Sequence, residues 1–541
     1  MLRITIFLIF SLLTGLQFSW AQTQYLVQLK SNANTTIIGE QLCAKIAWTA
    51  VDREYRIYTL TVDSSSTITK QQLRLHPAFV FAQTLNKVVN RGVFPNDPQF
   101  VKQKHLTRMY APEIWPFLNS GLDRKGDTLV IAIVDSGMDT LHVDLDANRW
   151  YNRSEVPDNG LDDDMNGYAD DYYGWNGGDS NNRTYTSISL DGHGQAIAGI
   201  VGAVGNNGEG VAGINWNIKV MPVLCYAEKG LSSDIGVVRS LIYVLRMKQL
   251  YLSSGGTKGA NIVALNTSIG IDNAFPQDAP LWCALYDSLG KVGIVSSIAT
   301  SNNDVNVDVK GDIPSLCPSK YTVVVNASTE VDAKMSSGYS STSVDIAAQG
   351  ANVYTTALSR NSGTDGPYKY VNGTSFAAPQ VAGTIAALNQ WACDTFLELQ
   401  IKNPDSAATL IRTWLLQGHD DLPAFAGKNA TNGRLNAAKA FQAMDAWCRS
   451  RDSKYAELDA FEDRQFTYQN PVSNGTPLRI EFDQEFPEAI VLTDLEGRNL
   501  NMEWNRVENT GILNTQSLSI GNYLVIFSYP NSQVVRKLQV N

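Results

Sequence analysis

Three short segments hold the residues that could make a working nucleophile. In Asn372-Gly-Thr-Ser-Phe-Ala-Ala-Pro-Gln-Val-Ala-Gly383, Ser375 sits between a small-residue turn and an Ala/Gly-rich helix start. A helix N-terminus presents unpaired N–H groups and the positive end of the helix dipole, which suits an oxygen that passes negative charge to a tetrahedral intermediate. A lone serine there would read as an N-cap. Serine at neutral pH also needs an adjacent base and a group that orients the base, and both residue types stand upstream. Leu129-Val-Ile-Ala-Ile-Val-Asp-Ser-Gly137 is an unbroken apolar, β-branched run ending in an acid and a turn. Such a run predicts a strand buried on both faces of a parallel sheet. Asp135 then lies at its carboxyl end, the edge where ligands bind in open α/β sheets. Asp191-Gly-His-Gly194 precedes the small, apolar stretch Ala196–Ala203, which predicts a buried helix with His193 at its N-terminus.

The chain order Asp135, His193, Ser375, each residue inside its own motif, resembles the subtilisin-like serine proteases, the subtilase family. An α/β-hydrolase would need its histidine after Ser375, where only His419 stands, in a segment that reads as a polar loop between helices. The resemblance implies that Ser375 attacks the scissile carbonyl, His193 takes and returns the proton, and Asp135 orients and stabilises the imidazolium. Gly293-Ile-Val-Ser-Ser-Ile-Ala-Thr-Ser-Asn302 is similar to the family's strand that ends in an asparagine. Its amide would join the Ser375 backbone N–H in an oxyanion hole. Asn302 is assigned that role, with Asn303 and then Asn306 as alternatives, and loop capping is the other use for any of them. Ala264-Leu-Asn-Thr-Ser-Ile-Gly270 is similar to the strand against which subtilases pair a substrate backbone. Ser268, Ile269 and Gly270 are thereby expected to line the pocket for P1, the residue before the scissile bond.

Several residues depart from the family pattern. Gln195 replaces the usual Thr after His-Gly, Gln380 replaces the usual His of the Ser375 helix, and Ser301 stands where relatives often carry Gly. A hydroxymethyl group at Ser301 would narrow the P1 pocket or change its polarity. His142, in Asp139-Thr-Leu-His-Val-Asp144, reads as structural, being too close in sequence to Asp135 to reach Ser375 from a separate helix.

A second chemical signal is Asn159-Gly-Leu-Asp-Asp-Asp-Met-Asn-Gly-Tyr-Ala-Asp-Asp171. Asp162, Asp164, Asn166, the Tyr168 carbonyl and Asp170 fall at positions 1, 3, 5, 7 and 9 of an EF-hand-type loop, with Gly167 at position 6. Position 12 is Tyr173 instead of Glu, so a structural Ca²⁺ and a solvated acidic turn both remain readings of this loop. Five histidines and scattered cysteines give no transition-metal spacing, and nothing points to an organic cofactor.

These groups need a large scaffold, and 541 residues at 44% hydrophobic composition supply one. Lys and Arg total 43 against 53 acids, and no basic cluster interrupts the net charge of −10, which argues against nucleic acid or anionic membrane surfaces as partners. Residues 1–21 read as a cleaved signal peptide, with apolar Ile4–Leu16 before Ser19-Trp-Ala21, and nothing downstream predicts a membrane span. Six cysteines in an exported chain suggest disulfides. Cys283 with Cys317 and Cys393 with Cys448 are the expected pairs, each bracketing a segment of the catalytic domain. Cys43 falls in the prodomain, and Cys225, in an apolar run, is expected to be buried and free.

Residues 22–94, with strands Tyr25–Leu29 and Tyr55–Val62, resemble a subtilase prodomain that templates folding and inhibits the cleft. Across 95–450, a helical pattern at Ser232–Leu250 and strands at Ile262–Leu265, Val292–Ile298 and Tyr321–Val325 alternate as in βαβ units, and Leu435–Cys448 is helical. A linker at 451–464 leads to short β runs at Leu478–Phe482, Ala489–Leu495, Tyr523–Tyr529 and Val534–Val540. This tail, 465–541, resembles the C-terminal sorting domain of the type IX secretion system, with a generic β-sandwich binding module as the other reading. The fold expected is α/β, a subtilisin-like doubly wound parallel sheet with a small α+β prodomain and a C-terminal all-β sandwich. The function expected is a secreted or cell-surface endopeptidase acting on proteins or peptides, with its own prodomain and the type IX secretion machinery as partners. A catalytically silent binding scaffold and a serine esterase are the alternatives.

Overall fold

The computed structural model describes residues 94–452, apart from 119, 140, 186–190, 228–232 and 360–365. It also describes strand segments and a few neighbouring residues between 23 and 84 and between 466 and 540. The chain divides into two compact units, Met1–Arg91 and Gly92–Asn541.

In the first unit, β1 (Thr23–Leu29), β2 (Ile46–Asp52), β3 (Ile57–Val62) and β4 (Phe79–Thr84) form an antiparallel sheet in the order β2-β3-β1-β4. Alternate residues Tyr25, Val27 and Leu29 are buried with Leu60 and Phe79, as period-two patterning requires. The strand expected from Tyr55 starts at Ile57, because Arg56 adopts a left-handed conformation at φ 56°.

The second unit is built on β5 (Leu129–Asp135), β6 (Trp175–Asn176), β7 (Lys219–Leu224), β8 (Asn261–Thr267), β9 (Ile271–Asp272), β10 (Val295–Ala299), β11 (Asp312–Ile313), β12 (Thr322–Ser328), β13 (Ile346–Gln349), β14 (Val353–Thr356), β15 (Tyr368–Val371), β16 (His419–Asp421) and β17 (Gly433–Leu435). Nine of these make one sheet in the order β16-β17-β13-β12-β10-β8-β5-β7-β6. Its neighbours run parallel except at the edge strand β16. Successive residues of β5 enter different cores. Ile131 and Ile133 pack with the helices Asp191–Gly202, Thr374–Trp391, Pro404–Gln417 and Ala437–Arg449, whereas Val130, Ala132 and Val134 pack with Asp234–Ser253 and Pro280–Lys291. Burial on both faces explains why β5 reads as a continuous apolar run. The chain leaves β5 toward β7 on one side and returns to β8 on the other, so β5 marks the point where the winding reverses.

Some elements differ from the sequence reading. The strand expected from Val292 begins at Val295, since the helix continues to Lys291 and Gly293, at φ 93°, makes the turn. His419 forms edge strand β16 against β17 and is not in a loop, and Leu435 ends β17, leaving the helix Ala437–Arg449 to start two residues later. Beyond it, β18 (Phe466–Tyr468), β19 (Leu478–Phe482), β20 (Ala489–Thr493), β21 (Trp504–Val507), β22 (Thr510–Leu513), β23 (Gly521–Tyr529) and β24 (Ser532–Val540) form two antiparallel sheets, β18-β19-β22-β21 and β20-β23-β24. No helix among the described residues is long and apolar enough to cross a membrane. The expected signal segment, Cys43 and most of the expected linker lie outside the described residues.

Disulfides join Cys283 to Cys317 and Cys393 to Cys448, and Cys225 is free and buried, as expected. The second bridge ties the residues after the Ser375 helix to the helix Ala437–Arg449 across a separation of 55 residues. A Cys393→Ala/Cys448→Ala double variant is expected to lose about 4 kcal/mol of unfolding free energy through the freed loop entropy. A lower denaturant midpoint checks this, with a slope that rises as the unfolded chain expands; an unmoved midpoint would show that closing this loop adds nothing to stability.

Candidate active site

Asp135 ends β5 and is 1% exposed. Its Oδ1 accepts the Ser136 N–H at 2.7 Å and lies 2.8 Å from His193 Nδ1. A carboxylate accepts, so Nδ1 carries the proton and the neutral ring keeps Nε2 as a base. The approach depends on a glycine. The helix Asp191–Gly202 starts directly over the turn after β5, and a Cβ on Gly194 would lie 2.4 Å from the Gly137 carbonyl oxygen and 3.2 Å from Asp135 Oδ1. Burial acts to lower the His193 pKa, but the charge of Asp135 and its hydrogen bond outweigh burial and hold the pKa above the ordinary 6.5.

Ser375 is the second residue of the helix Thr374–Trp391, 8% exposed, after Gly373 at φ 140°. Two hydrogen bonds couple it to the end of β8. Ser375 Oγ donates to the Ser268 carbonyl at 3.4 Å, and Ser268 Oγ donates to the Ser375 carbonyl at 3.0 Å. No hydrogen bond joins His193 to Ser375 among the described residues; instead the imidazole packs on the ring of Phe376, centroids 5.3 Å apart. The site thus holds Asp135 and His193 in direct contact and brings Ser375 in through its neighbour.

The three candidate asparagines separate by their partners. Asn302 Oδ1 accepts the Thr374 N–H at 2.9 Å and the Thr374 hydroxyl at 3.1 Å, so its carbonyl faces the Ser375 turn and its NH₂ donates to no described residue. Asn303 gives its amide to Asp272 and to the Ser301 hydroxyl. Asn306 caps the short helix Val307–Lys310 by accepting from the Asp308 N–H. Ser301 lies just beyond the end of β10 beside Asn302, while Ser268, Ile269 and Gly270 follow β8 directly, with Ile269 partly exposed and Gly270 exposed. A cavity of about 270 Å³ lies beside them, lined by Tyr226, Val237, Ile269, Gly270, Ile271 and Trp282 among others.

The departures from the family pattern have structural partners. Gln195 Oε1 accepts the Asp139 N–H, and Gln380 donates to the carbonyls of Gln349 and Phe376, which fastens the Ser375 helix to β13. His142 is fully buried, accepting the Asp144 N–H and facing the Pro367 carbonyl and the Tyr368 ring, in keeping with a structural role.

In the acidic loop, Asp162 accepts the N–H groups of Asn166 and Gly167, Asp170 those of Asn159 and Gly160, and Asn166 that of Tyr168, whose ring packs on Trp175 and Tyr243. The acids whose oxygens lie within 4.8 Å of one another are Glu155, Asp164 and Asp171, so only Asp164 of the expected set belongs to this cluster. Burial raises Glu155 and carries Asp171 up to about 7, with the Asp164 charge adding to both. Sequence reasoning missed Glu155 and Asp171 because neither fits the alternating spacing. It also missed Asp312, whose buried carboxylate touches Ser301, since nothing local distinguishes it.

The model of the Subtilase family matches residues 126–438, more than half of the chain. Among curated proteins, Subtilisin-like protease 1 of Plasmodium berghei (strain Anka) is 29% identical over 276 residues, 48% of this chain and 42% of that protein. Extracellular protease of Xanthomonas campestris pv. campestris is 28% identical over 57% of this chain and 51% of its own. Extracellular basic protease of Dichelobacter nodosus is 30% identical over 54% of this chain and 47% of its own. The chain therefore spans about half or less of the length of these relatives.

Titration of His193 followed by NMR is expected to give a midpoint above 6.5, falling below 6.5 in Asp135→Asn, where burial acts without the compensating charge. A midpoint unmoved by the substitution would mean that the pair is not electrostatically coupled. Because the folded form holds this proton more tightly than the unfolded chain, the pair stabilises the fold fully below pH 6.5. That contribution is lost as pH rises through the folded value.

Proposed function

Because the chain belongs to the subtilase family, we propose that it is a serine endopeptidase in which Asp135, His193 and Ser375 form the catalytic triad and Asn302 the oxyanion donor. The observation that carries this reading is the hydrogen-bonded pair of buried Asp135 and half-exposed His193 at the carboxyl edge of β5, with the imidazole packed on Phe376, the residue after Ser375. Its elevated basicity suits a general base that works near neutral pH. His193 Nε2 takes the Ser375 proton as Oγ attacks the peptide carbonyl, and Asp135 stabilises the imidazolium that results. Negative charge on the carbonyl oxygen meets the Ser375 N–H at the start of its helix and the Asn302 amide, which its Oδ1 contacts with Thr374 hold in place. The proton then passes from His193 to the leaving amine. An extended substrate would lie along Ser268, Ile269 and Gly270, with Ser301 opposite.

Substrates on this reading are exposed segments of proteins or peptides. Residues 22–94 serve as the inhibitory prodomain and 465–541 as a type IX sorting domain, so that the enzyme passes through periplasm and outer membrane to be secreted or held at the surface. The names of the two extracellular bacterial relatives support export, and the antiparallel strands described in both segments suit such domains.

A Ca²⁺ ion completes the proposal. The fit rests on the donor set: three buried carboxylates converge within 4.8 Å of one another, the oxygen ligands that a hard divalent cation takes. Glu155, Asp164 and Asp171 would hold it, with the turns of Asp162, Asn166, Tyr168 and Asp170 shaping the loop around them. The ion would stiffen the loop and has no part in bond cleavage.

Two experiments test these readings. Ser375→Ala is expected to abolish fluorophosphonate labelling and to lower casein turnover by up to roughly 10⁶-fold, a magnitude measured for subtilisin. Asn302→Ala is expected to lower turnover by about 10²–10³-fold with labelling retained, again the subtilisin range. A folded, prodomain-free wild type that neither labels nor digests would favour the silent scaffold, and ester cleavage without amide cleavage would favour the esterase. For calcium, EGTA is expected to lower the melting midpoint and added Ca²⁺ to restore it, with Asp164→Asn insensitive to both. A midpoint that does not respond to EGTA would remove the ion from the proposal.

A further inference from the structure

Ser268 and Asn302 both touch the Thr374–Ser375 turn, and they follow the neighbouring strands β8 and β10. The side chain next to a bond under attack at Ser375 therefore enters between the ends of these two strands. A buried carboxylate, Asp312, lies at this place, and the proposed chemistry does not use it. β11 pairs with β9, setting Asp312 opposite Asp272 and Ile313 opposite Ile271, directly after the Ser268–Gly270 segment. Gly270 lies against the Ile313 carbonyl so closely that a Cβ would come within 2.5 Å of its oxygen. From the β10 side, Ser301 donates its backbone N–H to Asp312 Oδ2 at 2.9 Å, and the Ser315 hydroxyl donates to the same oxygen at 2.6 Å.

Asp312 is 2% exposed, and no lysine, arginine or histidine pairs with it among the described residues. Its second oxygen, Oδ1, takes no hydrogen bond from a described residue yet is not sealed from solvent. Burial, reinforced by the charge of Asp272, raises its pKa to about 6, as befits a desolvated carboxylate that lacks a cation. Asn303 holds the Asp272 carboxylate at the exposed rim, so a second negative charge marks the entrance.

We propose that Asp312 makes this pocket selective for lysine and arginine at P1, an assignment that rests on the endopeptidase reading above. An ammonium or guanidinium reaching Oδ1 finds a desolvated, oriented partner, whereas an apolar side chain leaves that carboxylate buried and unpaired. Discrimination of this kind arises when a buried polar group is either matched or left empty by the substrate. The Ser301 hydroxyl accepts from the Asn303 N–H and amide, which turns it toward Asn303.

The test compares kcat/KM of the mature full-chain enzyme on fluorogenic peptides that differ only at P1, with Arg, Lys, Phe, Leu or Ala, and repeats the series on Asp312→Asn and Asp312→Ser. Asn keeps an acceptor for the Ser301 N–H while removing the charge. Wild type is expected to favour Arg and Lys over Leu and Phe by roughly tenfold or more, with the ratio falling to about one in both variants while fluorophosphonate labelling persists. Benzamidine is expected to inhibit wild type competitively, a readout that survives if neither variant folds. Active enzyme that prefers apolar P1 residues, or whose basic preference is unchanged in both variants, overturns the assignment, as does wild type indifferent to benzamidine. Wild type that neither labels nor cleaves any peptide overturns the endopeptidase reading itself, and the P1 assignment falls with it.

Discussion

The carboxyl edge of one buried parallel sheet is the constraint on which the candidate site depends. Strands covered by helices on both faces must complete their backbone ladders, because an unpaired N–H or C=O has no water to turn to. Winding on opposite sides of β5 then places β7 and β8 beside it and β10 beyond β8. Asp135, Ser268 and Asn302 lie in or just beyond the last turns of three strands, within reach of the helices that carry His193 and Ser375. Small residues make the approach possible. Gly194 lets the His193 helix settle on the β5 turn, and Gly373, at φ 140°, lets the chain swing into the Ser375 helix while its bare Cα faces Asn302 Oδ1.

Within this frame the same chemical group acquires different properties from its neighbours. Asp135 and Asp312 are both buried aspartates at strand ends, 1% and 2% exposed. Asp135 meets an imidazole, and the pair raises the basicity of His193. Asp312 meets only neutral donors and the like charge of Asp272, so desolvation prevails and its own pKa rises. Asp171, among Glu155 and Asp164, rises for the same reason. A carboxylate with a proton-bearing partner, one with only neutral donors and one in a cluster acquire different properties, and only the surroundings differ.

How far the site was legible in the chain follows from the range of each signal. Asp135, His193 and Ser375 stand in motifs that are local, since strand, turn and helix start each leave a pattern within about ten residues. Asn302, Asn303 and Asn306 were ranked in that order by resemblance to the family's strand alone; their contacts separate them, to Thr374 and to Asp272 across long sequence distances and, for Asn306, to its own helix start. The acidic loop shows the same limit. Its alternating acids were visible, but their oxygens close backbone turns, and the convergent cluster recruits Glu155 and Asp171 from outside the alternation.

The sequence alone determined the α/β architecture, the central strand and the helix bearing Ser375, because apolar periodicity and glycine turns are properties of short segments read one at a time. Tertiary structure decided which asparagine faces Ser375, why Gln195 and Gln380 are tolerated, that His419 forms an edge strand, and that Asp312 lies where two strand ends meet. Each of these is a contact between residues tens to hundreds of positions apart, and a side chain's partner across such a distance leaves no periodic trace in the segment that holds it.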